Sequence, residues 1–124
     1  MNLSQFLLVF AGSGFGGVAR FFLVRHLLPH SHFPFGTFFV NVLACFLAGF
    51  FWAHSQISGH ENPSRHLLLI TGFCGGFSTF SAFGLDFLLL QQKGMTGISV
   101  FYLLASLFLC IPAVYAGYRF QQFL

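Results

Sequence analysis

The chain has 124 residues, 56% of them hydrophobic and only 6% charged, with a formal net charge of +3. An average soluble domain carries roughly 25% charged residues, so five Lys and Arg with two Asp and Glu cannot clothe a water-facing surface of this size. A soluble fold is excluded, disorder is excluded by the apolar content, and no basic cluster is present to grip a nucleic acid.

What remains is a single membrane-embedded domain, residues 1–124. A helix crossing a ~30 Å hydrocarbon core needs about 20 apolar residues, which limits the chain to four crossings with short connections. Four continuous apolar runs fill that allowance: Leu3–Leu28, Phe35–Ile57, His66–Leu90 and Ile98–Phe120. Loops are expected at Pro29–Pro34, Ser58–Arg65 and Gln91–Gly97. The runs do not alternate polar with apolar residues, which argues against strands. No Lys or Arg precedes Arg20, so the first run lacks the basic start of a cleaved leader and is expected to stay as structure. The reading is an all-α, multi-pass membrane protein with four transmembrane helices, embedded in the lipid bilayer.

In the first run, Gly12-x-x-x-Gly16 fits the small-residue pattern of close helix contact. In the second, Thr37, Asn41, Ala44 and Ala48 share one narrow face. Asn41 is the only amide buried in a span, away from its ends, and it suits either a contact between helices or a polar pathway. The third run is the most unusual: residues 71–84 read Thr-Gly-Phe-Cys-Gly-Gly-Phe-Ser-Thr-Phe-Ser-Ala-Phe-Gly. Glycine costs up to about 1 kcal/mol per position in a helix interior, so a break at mid-membrane is expected near Gly75–Ser78. A break frees carbonyls that must meet water, protein or an ion. Two such oxygens from each of two opposed subunits would suit a hard cation such as Na⁺. The plainer reading is close packing through Gly72-x-x-x-Gly76. Just beyond, Phe80 and Phe83 lie on one face beside Ser81, and phenyl edges carry partial positive charge that can meet an anion. In the fourth run, Ser99, Tyr102, Ser106 and Cys110 form a weak polar stripe that reads as packing, and Pro112 is expected to bend the helix.

Three cysteines, Cys45, Cys74 and Cys110, sit inside apolar runs, where no disulfide framework can be read and a packing role is expected. The six histidines fall in loops or near span ends, and His30-x-His32 reads as solvated rather than metal-binding. No nucleophile, base and orienting group occur together, so the chain does not read as an enzyme.

The positive-inside rule compares Lys and Arg on the two sides. The termini and second loop hold Arg65 and Arg119; the other loops hold Arg25 and Lys93, plus Arg20 if counted. This even split fits insertion in both orientations, with opposite copies pairing about an axis in the membrane plane. The other reading is that a partner or a subtler feature fixes one orientation.

Taken together, Gly16-Gly17-x-x-Arg20, the Gly36-Thr37…Asn41…Gly49 series and the Gly72-to-Phe83 segment closely resemble the small fluoride channels of the Fluc or CrcB family. The resemblance covers nearly the whole chain. It implies an antiparallel, dual-topology homodimer with two fluoride pathways, in a bacterial cell (inner) membrane, exporting fluoride passively and lowering its cytoplasmic toxicity. It implies a structural Na⁺ at the dimer centre on main-chain oxygens of Gly75 and Ser78. Asn41, Phe80 and Phe83 match the family's pore residues, and Arg20 its first-helix arginine near the entrance. Thr37, Ser81 and Tyr102 match polar pore-lining positions. Ser78 stands where family members often have Thr, Ala82 where Thr is frequent, and Asp86 where Glu is common.

Two other functions fit the size. A small dual-topology exporter of organic cations needs a carboxylate deep in the membrane, but Glu61 falls in a loop and Asp86 near the end of the third run. A non-transporting helper subunit would not need a glycine-rich break beside hydroxyls and a buried amide.

Overall fold

A computed structural model describes residues 2–26, 31–57 and 62–124, and every regular element among them is helical. Glu61, His30 and His60, together with Pro29, Ser58 and Gly59 of the first two loops, lie outside the described residues. Helix α1 spans Leu3–His26 and α2 spans Phe35–Ile57. The third crossing, Pro63–Gln92, is composite. It comprises α3 (Pro63–Arg65), a π-helical stretch (His66–Cys74), α4 (Gly75–Phe77) and α5 (Phe80–Gln92). Helix α6 spans Thr96–Gln122 and runs through Pro112. Four segments are therefore long and apolar enough to cross a membrane.

The ends of these segments follow local chemistry. Asn62 caps α3, its side chain accepting the Ser64 N–H at 3.0 Å, with Pro63 in the first turn. The α5–α6 connection is tighter than the Gln91–Gly97 loop expected from sequence, because its polar residues are drawn into the helix ends. Gly94 adopts φ +72°, and Met95 N–H returns to the Leu90 carbonyl at 2.9 Å. The Gln91 side chain then donates to Ser99 Oγ at 2.8 Å and accepts from the Thr96 hydroxyl at 3.2 Å.

Two parallel helix pairs make up the packing. Gly12-x-x-x-Gly16 of α1 lies directly against Gly72-x-x-x-Gly76 of the third crossing. A Cβ at Gly12 would strike the Leu68 carbonyl, one at Gly16 the Phe73 carbonyl, and one at Gly76 the Ser13 carbonyl. The two small-residue motifs are thus each other's partners. Helices α2 and α6 meet through Gly49 and Gly117, whose Cβ atoms would overlap the carbonyls of Val114 and Phe46. The buried faces are Thr37, Val40, Ala44, Gly49 and Ala53 on α2, and Ser99, Tyr102, Ser106, Ala113 and Gly117 on α6. One apolar cluster joins the pairs: Val40 and Ala44 pack on Phe77, flanked by Leu23 and Phe73. Outward, large apolar side chains such as Phe10, Phe15 and Phe108 are exposed, as a lipid-facing surface requires.

The α2–α6 seam gives a direct test. Gly117→Ala places a methyl group against a backbone atom that cannot swing aside, and is expected to destabilise the fold by about 1–3 kcal/mol. Gly14→Ala meets nothing within 4 Å and should be neutral or stabilising. Thermal unfolding of both variants in detergent measures the difference.

A polar break beside two cavities

The helical ladder of the third crossing is interrupted at Ser78 and Thr79, both in extended conformation (φ −78°, ψ 157° and φ −154°, ψ 118°). Gly75 and Gly76, the residues least suited to a helix by propensity, are helical. The close approach of Gly76 to Ser13 offsets that cost. What holds the extended pair is Asn41, 38 residues away on α2. Its Oδ1 accepts the Thr79 N–H at 2.8 Å, and its Nδ2 donates to the Thr79 carbonyl at 3.2 Å. One carboxamide thus satisfies both backbone groups of one residue, as a neighbouring strand would.

This rearrangement releases the carbonyls at the end of the first half of the crossing, those of Gly75 and Ser78 among them. In an unbroken helix the Thr79 N–H would bond to the Gly75 carbonyl, and the Ala82 N–H to that of Ser78. Instead the Thr79 N–H goes to Asn41, and the Ala82 N–H goes to Thr79 Oγ1 at 3.1 Å. Thr79 acts as the N-cap of α5, and its hydroxyl also shares a 3.0 Å contact with Ser81 Oγ.

A cavity of about 250 Å³ opens on one side of the break. Asn41 and Cys45 from α2, Ser78 and Thr79 from the break, Phe80 and Phe83 from α5, and Ser106 and Cys110 from α6 line it. The two phenyl rings lie 5.5 Å apart, tilted by 32°. They differ sharply in setting: Phe83 is 8% exposed and packs 4.8 Å from Tyr102, whereas Phe80 is 83% exposed at the open side. Ser106 is 8% exposed, and its Oγ is buried without a hydrogen-bond partner.

A second cavity of about 260 Å³ is lined by Arg20, Arg25 and Thr37 together with Thr79 and Ala82. Two guanidinium groups give its mouth a positive field. Thr79 borders both cavities, so the break forms the wall between the cationic mouth and the phenylalanine-lined chamber. Thr37 also partners the hydroxyl of Tyr102, which is fully buried and donates to Asp86 at 3.4 Å.

The residues anticipated from sequence therefore fall into two groups with two outliers, Ser81 and Gly75. Asn41, Phe80, Phe83 and Ser78 line the first cavity, and Arg20 and Thr37 the second, with Tyr102 behind both Thr37 and Phe83. Ser81 is exposed and lines neither, touching the site through Thr79. Gly75 is exposed on the face of α4 turned away from the α1 seam. Two residues escaped the sequence reading as site residues. Thr79 looked like one hydroxyl among several, and Ser106 belonged to a stripe read as packing. The signal for Ser106 was its place one turn from Tyr102 on that stripe.

Comparison with known proteins covers nearly the whole chain. Residues 7–118 match the family model described as CrcB-like protein, Camphor Resistance (CrcB). A protein of Chlorobium phaeobacteroides named fluoride-specific ion channel FluC is 43% identical over 118 residues, covering 94% of this chain and 91% of that one. Proteins of the same name from Methylobacillus flagellatus and Bacteroides fragilis are 37% and 39% identical, covering 93% and 98% of this chain and 92% and 99% of theirs.

The Thr79 cap can be tested apart from any transport. Thr79→Ala removes the acceptor for the Ala82 N–H and should cost about 1 kcal/mol, while Thr79→Ser should retain most of it. Equal unfolding midpoints for the two variants would contradict this account of the break.

Proposed function

The chain belongs to the CrcB-like family, and on that footing we propose that it is a fluoride-specific ion channel, not an enzyme, that lets fluoride leave the cell passively across a bacterial inner membrane. The observation that carries this reading is the match to channels of that name over more than nine-tenths of both chains.

The geometry supplies a physical rationale. Fluoride is small and strongly hydrated, so a pathway must replace lost water with directed donors. Asn41 has one Nδ2–H left after pairing with Thr79, and Ser106 brings a hydroxyl with no other partner. Phe80 and Phe83 present ring edges, whose partial positive charge attracts an anion without the grip of a full charge. The N-terminus of α5 at Thr79 adds its positive end to the same chamber. Arg20 and Arg25 concentrate anions at the neighbouring mouth. None of the cavity-lining residues is acidic, which is the opposite of what an exporter of organic cations would need.

The finer architecture is part of the same proposal. An antiparallel homodimer of dual topology places a second copy over the open side of the chamber, where Phe80 is exposed. The near-even distribution of Lys and Arg supports insertion both ways. The interruption at Ser78–Thr79 lies at mid-membrane in this arrangement. The Gly75 and Ser78 carbonyls, released from the ladder at the negative end of α4, fit a hard-oxygen site for a structural Na⁺ shared by two subunits. Bound there, the ion would neutralise the carbonyl dipoles and join the two breaks.

Purified protein in liposomes is expected to release fluoride and retain chloride; equal or absent flux of the two anions would overturn the assignment. Asn41→Asp should block fluoride efflux, since a carboxylate has no donor and repels the anion. Phe80→Ile should cut flux at least tenfold at equal folded yield, because Ile lacks the positive ring edge. Phe15→Ile, on the exposed surface of α1, should not. Equal losses in these two variants would remove the phenylalanine pair from the pathway.

A further inference from the structure

Cys45 and Cys110 are free thiols, half-buried, and both face the chamber of about 250 Å³ beside Asn41 and Ser106. Their alignment follows from the α2–α6 seam. Gly49 of α2 meets Val114 of α6, and the helices run parallel, with His54 opposite Gln121 at 3.3 Å and Thr37 reaching Tyr102. Stepping back one turn on each helix from Gly49 and Val114 arrives at Cys45 and Cys110. The two thiols accordingly stand at one level of the seam, close enough for each to feel the other. Cys74 differs: it is buried in the π-helical stretch and lines no part of the chamber.

We propose that Cys45 and Cys110 form a two-thiol site for a soft, two-coordinate metal ion, and that its occupation obstructs the anion pathway. Thiolate sulfur selects soft metals over the hard cations that main-chain oxygen prefers. With mercury(II) the balance is simple. Two S–H bonds break, two S–Hg bonds form, and two protons leave to water, with no change of oxidation state. The product is neutral, which suits a chamber with apolar walls, and it stands one helical turn beyond Asn41 and Ser106 in the same chamber. A single thiol would bind such an ion too, but without the chelation that holds it against a competing monothiol.

This inference rests on the fluoride-channel reading only for its functional half, and the experiment separates the two. Detergent-purified protein is titrated with mercury(II) chloride while free thiols are counted, then challenged with excess glutathione. The wild type is expected to hold one mercury per chain, to lose two of three titratable thiols, and to keep the metal through the challenge. Cys74→Ser should behave alike, whereas Cys45→Ser and Cys110→Ser should release the metal. Retention in a Cys45→Ser/Cys110→Ser double variant, or release from the wild type, overturns the site. In liposomes, mercury should reduce fluoride efflux at least tenfold in the wild type and Cys74→Ser. A dithiol should reverse that loss, and each chamber variant should stay within twofold of its own untreated rate. A wild type that chelates mercury and conducts fluoride unchanged overturns the obstruction. A wild type that chelates mercury but never conducts fluoride sinks the channel reading and leaves the metal site standing.

Discussion

The pairing of the Asn41 carboxamide with the backbone of Thr79 is the interaction on which the rest of this molecule depends. In a bilayer an unpaired N–H or C=O costs several kcal/mol, so a crossing can leave helical geometry only where something else completes its hydrogen bonds. Asn41 does this with two short bonds from a neighbouring helix. The extended pair Ser78–Thr79, the fresh start of α5 at Phe80, and the release of the Gly75 and Ser78 carbonyls all follow from that substitution. The chamber lies beside that interruption, with Ser78 and Thr79 in its wall.

The two glycine seams supply the rigidity that this arrangement needs. An amide can bridge to a backbone only if its helix stands at a fixed distance. The backbone-to-backbone contacts at Gly12, Gly16 and Gly76 hold the first half of the third crossing against α1, while those at Gly49 and Gly117 hold α2 against α6. Phe77 wedges between the pairs, packing on Val40 and Ala44, one turn from Asn41. Polar chemistry and apolar packing are therefore not separate regions here. The same turn of α2 serves both.

Much of this was readable in the sequence. Hydropathy run lengths gave all four crossings to within a few residues, because the bilayer imposes a length that no side-chain detail can override. The third crossing was recognised as exceptional, yet the glycines pointed to it for a reason other than the one their propensity suggests. Gly72 and Gly76 serve contact with α1 and remain helical, while the extended residues are Ser78 and Thr79. The expected break, Gly75–Ser78, takes in Ser78 but stops short of Thr79, whose conformation is set by a side chain 38 residues earlier. Ser106 was likewise hidden, because a serine on a weakly polar helix face looks the same whether it packs or lines a cavity. The proximity of Cys45 to Cys110 needed the register of α2 against α6, which only the seam at Gly49 and Val114 reveals.

The order of the helix pairs has a consequence for how such a chain is made. The partners are interleaved along the sequence: α1 mates with the third crossing and α2 with the last. Neither seam can close while only the first two segments have been synthesised. A nascent chain that has delivered α1 and α2 to the bilayer still shows both glycine faces to lipid, and Asn41 has no backbone to bridge. Assembly is thereby pushed late in translation: the α1 seam and the Asn41 bridge wait for the third crossing, and the α2 seam waits for α6. Ribosome stalling or truncation after the second crossing would leave a polar amide stranded in hydrocarbon, a feature by which membrane quality control can tell unfinished chains from completed ones.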